Sequence, residues 1–166
     1  MRKILSEKLP RILKNKKRLE QKLNVKITNR GKEVSITGKS TDEYTAEKVI
    51  DALNFGFPFS VAILIKEEDL IFEIINIKEH TNRQDFSRVR ARIIGRRGKT
   101  LKTLCQLTKC YFELKDNNIG IIGYPEFIKN AQEAVISIIR GSKQSNVYKF
   151  LEKNQIGSVV DLGLKE

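Results

Sequence analysis

The period of apolar and polar positions changes several times along this chain, and the changes mark out its elements. Leu70 to Ile77 is a β-branched and aromatic run, the composition of a strand. Thr81 to Phe86 is polar and reads as a loop. A short helix is predicted over Ser87 to Ile94, and Lys99 to Lys109 carries apolar residues at 101, 104, 105 and 107, a helical stripe. Tyr111 to Leu114 reads as a strand, Asp116-Asn117-Asn118 as a turn, and Ile119 to Gly123 as the returning strand. Pro125 suits the first position of the next helix and Glu126 complements its dipole. Ile128, Ala131, Val135, Ile138 and Ile139 give that helix an apolar face, and Gly141 stops it. Ser145 or Asn146 is placed to cap a last helix through Val147, Tyr148 and Leu151.

The first third repeats this order more faintly. Arg2 to Leu5 reads as a short strand, Leu9 to Leu13 as a short helix, and Leu19 and Leu23 mark a second helix. Asn24 to Thr28 and Glu33 to Thr37 form a strand pair. Ser40-Thr41-Asp42-Glu43 has the spacing of a capping box before a helix with Ala46, Val49, Ile50 and Leu53 on one face. Gly38 closes the first strand pair as Gly123 closes the second. Gly56 and Pro58 punctuate the junction, and Phe59 to Ile65 reads as a short apolar helix.

Between the two predicted helices of the second copy stands Gly95-Arg96-Arg97-Gly98. Glycines three apart let the backbone turn sharply and keep a Cβ away from a ligand. A helix starting at Lys99 directs its positive end at that turn, and the amides near Gly98 and Lys99 are expected to face a phosphate. The strand, helix, loop, helix, strand, strand, helix order is that of the eukaryotic-type KH fold, whose loop clamps single-stranded nucleic acid. The expected fold is therefore α+β: two tandem type I KH domains, each a three-stranded antiparallel sheet on three helices. The expected boundaries are residues 1–57 for a degenerate KH domain, 58–66 for a linker helix, 67–142 for the KH domain with the loop, and 143–166 for a C-terminal helix and tail.

Charge fits a polyanionic partner. The 166 residues hold 32 Lys plus Arg against 20 Asp plus Glu, a formal net charge of +12. From Phe86 to Phe112 there is no acidic residue, while Arg88, Arg90, Arg92, Arg96, Arg97, Lys99, Lys102 and Lys109 accumulate. The candidate RNA-binding residues are Arg90, Arg92, Ile93, Ile94, Gly95, Arg96, Arg97, Gly98, Lys99 and Lys102, with Ile93 and Ile94 flooring a narrow apolar groove. In the first copy Lys14-Asn15-Lys16-Lys17 lies where the loop should be. Lys14, Lys16 and Lys17 keep charge without glycine, so a packing or docking unit with a basic rim is favoured there over a second clamp.

Other chemistries find less support. The apolar runs are short and broken by charge, and the chain is expected to be cytoplasmic. Cys105, Cys110 and His80 are too few for a zinc site, so no metal or cofactor is expected. Cys105, on the apolar side of its helix pattern, is expected to be a small buried hydrophobe. His80 reads as a surface loop residue. Asp42-Glu43, Glu67-Glu68-Asp69 and Asp85 read as capping or surface acids, so the protein is expected not to be an enzyme.

Several segments resemble the archaeal KH-domain ribosome-assembly family known in eukaryotes as the partner of the Nob endonuclease. They are Phe72-Glu73-Ile74-Ile75, Arg90 through Thr100, Ile119 to Gly123, Arg140-Gly141-Ser142, and Ser145 through Glu152. The last two are the most diagnostic, because generic KH domains lack them. The likeness runs from about Ile65 to Glu152 and is weak before Gly38. It implies tandem KH domains, binding near the 3′ end of small-subunit ribosomal RNA, and assistance to the endonuclease that matures that end. It also implies a link to the α subunit of translation initiation factor two, and it makes Gly95, Arg96, Arg97 and Gly98 the clamp. The absent first glycine loop departs from the family pattern. Another KH binder, exosome- or messenger-associated, and a protein adaptor are the alternatives.

Overall fold

Strands β1 (Arg2–Leu5), β2 (Lys26–Arg30) and β3 (Glu33–Thr37) pair in the order β1-β3-β2, antiparallel throughout. Ile4 stands opposite Val34 and Ile27 opposite Ile36. Alternation along β3 buries Val34 and Ile36 completely, giving the sheet one apolar face. Helices α1 (Leu9–Lys14), α2 (Lys16–Leu23) and α3 (Ser40–Phe55) close the core with Ile12, Leu19, Leu23, Ala46, Val49 and Ile50. A computed structural model of the chain describes residues 1–155 and divides it into two units, Met1–Phe72 and Glu73 onward. The expected tail beyond Gln155 lies outside the described residues.

The second unit repeats the plan. β4 (Ile71–Asn76), β5 (Tyr111–Lys115) and β6 (Asn118–Gly123) pair in the order β4-β6-β5, with Phe112 opposite Ile121 in the antiparallel hairpin. Helices α6 (Phe86–Ile94), α7 (Lys99–Thr108) and α8 (Pro125–Ile139) bring in Val89, Ile93, Leu104, Ala131, Val135 and Ile138, all buried. A further helix, α9 (Gln144–Lys153), buries Val147 and Leu151 and packs on α7 and α8.

A constant offset relates the two units from the end of the second helix onward. Asn24 and Lys109, 85 positions apart, are both in the left-handed region, with φ of 56° and 58°, and cap α2 and α7. Val25 and Cys110 follow at the same offset, and Gly38 and Gly123 face them. A Cβ on Gly38 would meet Val25 Cγ1 at 3.1 Å, and one on Gly123 would meet Cys110 Sγ at 2.5 Å. Glycine at that position thus permits a close approach in both units, tighter in the second.

Several local expectations are corrected. β2 begins at Lys26 and not Asn24, because Asn24 turns left-handed to return its N–H to the Glu20 carbonyl. The capping box is incomplete. Lys39 is the N-cap of α3, Ser40 lies inside the helix, and the Glu43 carboxylate instead accepts the Gly38 N–H at 2.9 Å. That hydrogen bond holds the Glu43 carboxyl below the usual carboxylate range. The helix expected over Phe59–Ile65 is two short ones, α4 (Phe59–Ala62) and α5 (Leu64–Glu67), which meet at Ile63, and both fall in the first unit. Lys143, not Ser145 or Asn146, is the N-cap of α9. Gly141, at φ 102°, and the Ser142 N–H on the Ser137 carbonyl end α8 early enough for the next helix to begin at Gln144. Cys105 is only half-buried; Cys110 is the enclosed thiol, and burial pushes its pKa up to about 12.

Candidate nucleic-acid interface

The α6–α7 junction is built from three unusual backbone conformations within four residues. Gly95 has φ 78° and ψ 174°, a region that only glycine visits freely. Arg97 (φ 57°) and Gly98 (φ 74°) are left-handed. Gly98 donates its N–H to the Gly95 carbonyl at 3.2 Å, and Lys99 donates to the Arg96 carbonyl. The amides at 98 and 99 are therefore engaged inside the loop and do not stand open toward a phosphate, contrary to the expectation. The loop's exposed positive charge lies on its side chains.

The two glycines do different work. A Cβ on Gly95 would sit 2.6 Å from the Thr100 Cβ and 2.7 Å from the Thr100 nitrogen, so this glycine lets the first turn of α7 close against the loop. A Cβ on Gly98 would meet nothing within 4 Å. Only Gly98 faces open space, where a missing side chain leaves the backbone approachable. Thr100, buried in the notch beside Gly95, was not singled out in the sequence, although it follows the loop directly.

Of the predicted binding residues, four present free cations. Arg96, Arg97, Lys99 and Lys102 are exposed, and their side chains make no hydrogen bond or ion pair among the described residues. Ile94 is 38 % exposed and stands beside them on α6. Ile93 is 0 % exposed, so it belongs to the core and cannot floor a groove.

Arg90 and Arg92 are committed within the fold. Arg90 Nη1 donates to Asn117 Oδ1 at 2.7 Å and to the Asp116 carbonyl at 3.3 Å, tying α6 to the β5–β6 turn. Arg92 donates to the Ile138 carbonyl at 2.6 Å and the Ser142 carbonyl at 2.5 Å, satisfying acceptors where α8 ends. Their charge adds to the local field, but their donors hold the loop's supporting helix in place.

The first unit has the same staple and lacks the loop. Arg11, beside buried Ile12, donates to the Leu53 and Phe57 carbonyls at 3.3 Å each, where α3 ends. Arg11-Ile12-Leu13 thus corresponds to Arg92-Ile93-Ile94 at an offset of 81, four fewer than the offset of 85 found after the second helix. The missing four residues equal the length of the glycine loop. Lys14 is the last residue of α1, Lys16 and Lys17 open α2, and Asn15 alone joins them. Lys14-Asn15-Lys16-Lys17 is therefore a helix junction, and not a loop that has lost its glycines.

Comparisons with known proteins agree with this geometry. The family model of the second KH domain of Pno1-type proteins, a eukaryotic-type KH domain (KH-domain type I), matches residues 71–156. A KH domain-containing protein of Methanocaldococcus jannaschii is 27% identical over 147 residues, covering 84% of this chain and 65% of that protein. The pre-rRNA-processing protein pno1 of Emericella nidulans is 33% identical over 141 residues, covering 80% of this chain and 55% of that protein. The chain accordingly spans between about half and two thirds of these relatives. Among solved structures, Dim2p of Pyrococcus horikoshii matches with a TM-score of 0.84 at 26% identity, over 92% of this chain and 98% of that one. A chain of the a/eIF2alpha–aDim2p–rRNA complex from the same organism matches with a TM-score of 0.83 at 28% identity, over 93% of each.

Proposed function

From the chain's membership of the Pno1/Dim2 family of KH-domain proteins, we propose that its second unit clamps single-stranded RNA through Gly95-Arg96-Arg97-Gly98. The RNA we propose is the 3′ end region of small-subunit ribosomal RNA during subunit maturation. The observation that carries the reading is the loop itself: two exposed arginines without partners among the described residues, on a backbone fixed by its own hydrogen bonds. Arg96 and Arg97 would hold neighbouring phosphates by charge-assisted hydrogen bonds, with Lys99, Lys102 and exposed Ile94 beside them. About four nucleotides fill such a site. The solved rRNA complex of a Dim2p chain and the pre-rRNA-processing relatives support both the ligand and the process.

In this reading the protein is a binding factor and not an enzyme. Its carboxylates serve the fold: Glu43 holds the Gly38 N–H, Glu47 pairs with Arg2 at 2.6 Å, and Glu67 pairs with Lys22 at 2.7 Å. The first unit is proposed to be a KH domain from which the loop has been excised, since its strand order and helix order are those of the second. The protein would assist the Nob-type endonuclease that matures the RNA end and meet the α subunit of initiation factor two. The second partner is supported by the composition of the solved complex. A cytoplasmic location follows from this role, and no described helix is long and apolar enough to cross a membrane.

Crosslinking the protein to RNA in cells and sequencing what is attached tests the proposal. A peak at the 3′ end of small-subunit ribosomal RNA is the expected result. Reads spread over messenger RNA would reject it in favour of another KH binder.

A further inference from the structure

Excision of the loop leaves a feature in the first unit that the second-unit reading does not use. At the α1–α2 junction lies a cleft of about 340 Å³, bounded by the end of α3 and the start of α4. Its walls are helical and loop residues only, so it differs in kind from a groove floored by a strand. Arg11, Lys14 and Arg18 line it with Asn15, and no carboxylate does. The Arg18 guanidinium carbon lies 3.9 Å from the centroid of the Phe59 ring. At that distance the planar cation is stacked on the ring, and Arg18 itself is exposed.

A guanidinium with one face on an aromatic ring keeps its other face available. Planar arginine surfaces of this kind accept nucleobases by stacking. Lys14, exposed and without a partner among the described residues, supplies a point charge at the same opening. Arg11 spends one nitrogen, Nη1, on the Leu53 and Phe57 carbonyls. The volume falls at the low end of the roughly 300–1,000 Å³ typical of small-ligand sites. It suits one nucleotide and not an extended strand.

We propose that this cleft binds a single phosphorylated nucleotide, its base stacked on Arg18 over Phe59 and its phosphate on Lys14. The first unit is then a one-nucleotide reader, while the four-residue loop of the second is a backbone clamp. The inference stands whether or not that loop binds RNA, because it uses no residue of the second unit.

The test is a residue-resolved amide chemical-shift titration of the full chain with adenosine 5′-monophosphate, inorganic phosphate, adenosine and tetraglutamate in separate arms. Adenosine monophosphate should saturate shifts at Lys14 to Arg18 and at Phe59. Phosphate alone should bind those residues roughly tenfold more weakly, because stacking is lost. Arg18→Ala and Arg18→Lys should each weaken the nucleotide by roughly tenfold, the lysine variant keeping the charge and losing the plane. The melting temperature of both variants should be unchanged, as Arg18 is a surface residue. Arg96→Asp with Arg97→Asp should leave the first-unit titration as it was. No saturable shift in the cleft, an equal response to phosphate and nucleotide, or full binding in Arg18→Lys would overturn the proposal. Preference for tetraglutamate would overturn it too, and would give the cleft to an acidic protein segment.

Discussion

The two units share a frame and differ most tellingly at the junction of their first two helices. Each has three strands in the same order, an arginine that ties the first helix to the end of the third, a left-handed cap on the second helix, and a glycine under the residue after that cap. At that junction the second unit is four residues longer, and those four carry the strained backbone and the free arginines. The frame therefore does not need the loop in order to form. The binding chemistry proposed for the second unit rests on a segment that the first unit's fold does without.

Charge reversal should separate the units most. Arg96→Asp with Arg97→Asp should lower affinity for single-stranded RNA by about 100-fold or more, since attraction becomes repulsion at the loop. Lys16→Asp with Lys17→Asp should change it only a few-fold. Fluorescence anisotropy with a labelled oligonucleotide reads both, and equal losses would erase the distinction. Next come the glycines. Gly95→Ala should destabilise the protein by roughly 3 kcal/mol through a wrong backbone region and overlap with Thr100. Gly98→Ala should cost about 1 kcal/mol, for conformation alone. Lys14→Ala, at the matching place in the first unit, should stay within about 0.5 kcal/mol. Urea melts would rank the three.

The staples should differ less. Arg92→Ala should cost about 2 kcal/mol and Arg11→Ala about 1, because the Arg92 bonds are 2.5–2.6 Å and those of Arg11 are 3.3 Å. A larger loss at Arg11 would reverse the order of importance. The smallest contrast is a titration. Burial raises the Cys110 thiol to about 12, whereas Val25 holds the same place in the first unit. Below the ordinary thiol range both folded and unfolded chains keep the proton. Above it the unfolded chain ionises first, so stability should fall as pH rises from about 9 towards 12. Melts at stepped pH should show that decline, and Cys110→Val should flatten it.

Much of this was legible in the sequence, because periodicity reports which face of an element is buried. The stripe Ile128, Ala131, Val135, Ile138 and Ile139 is buried as expected, and Pro125 opens its helix. What the sequence hid was commitment. Nothing in the spelling of Arg90, Arg92 and Arg96 distinguishes a cation bonded to carbonyls of the same chain from one facing solvent. That depends on where the β5–β6 turn and the end of α8 come to rest. Caps failed for a related reason: Ser40, Ser145 and Asn146 are good N-cap residues, but the preceding turns start their helices one residue or more earlier. The lysines at 14, 16 and 17 resemble a worn loop because composition does not show that a junction is shorter. Only the change of offset from 81 to 85 reveals it.

The contact between Gly95 and Thr100 has a further consequence. With the notch beside Gly95 filled by Thr100, the turn and the first coil of α7 move as one piece, so the loop has little freedom to surrender when a ligand arrives. Association then costs little ordering entropy. In the proposed role the clamp would be set before the strand arrives, and its selectivity would lie in which segments can reach it unpaired.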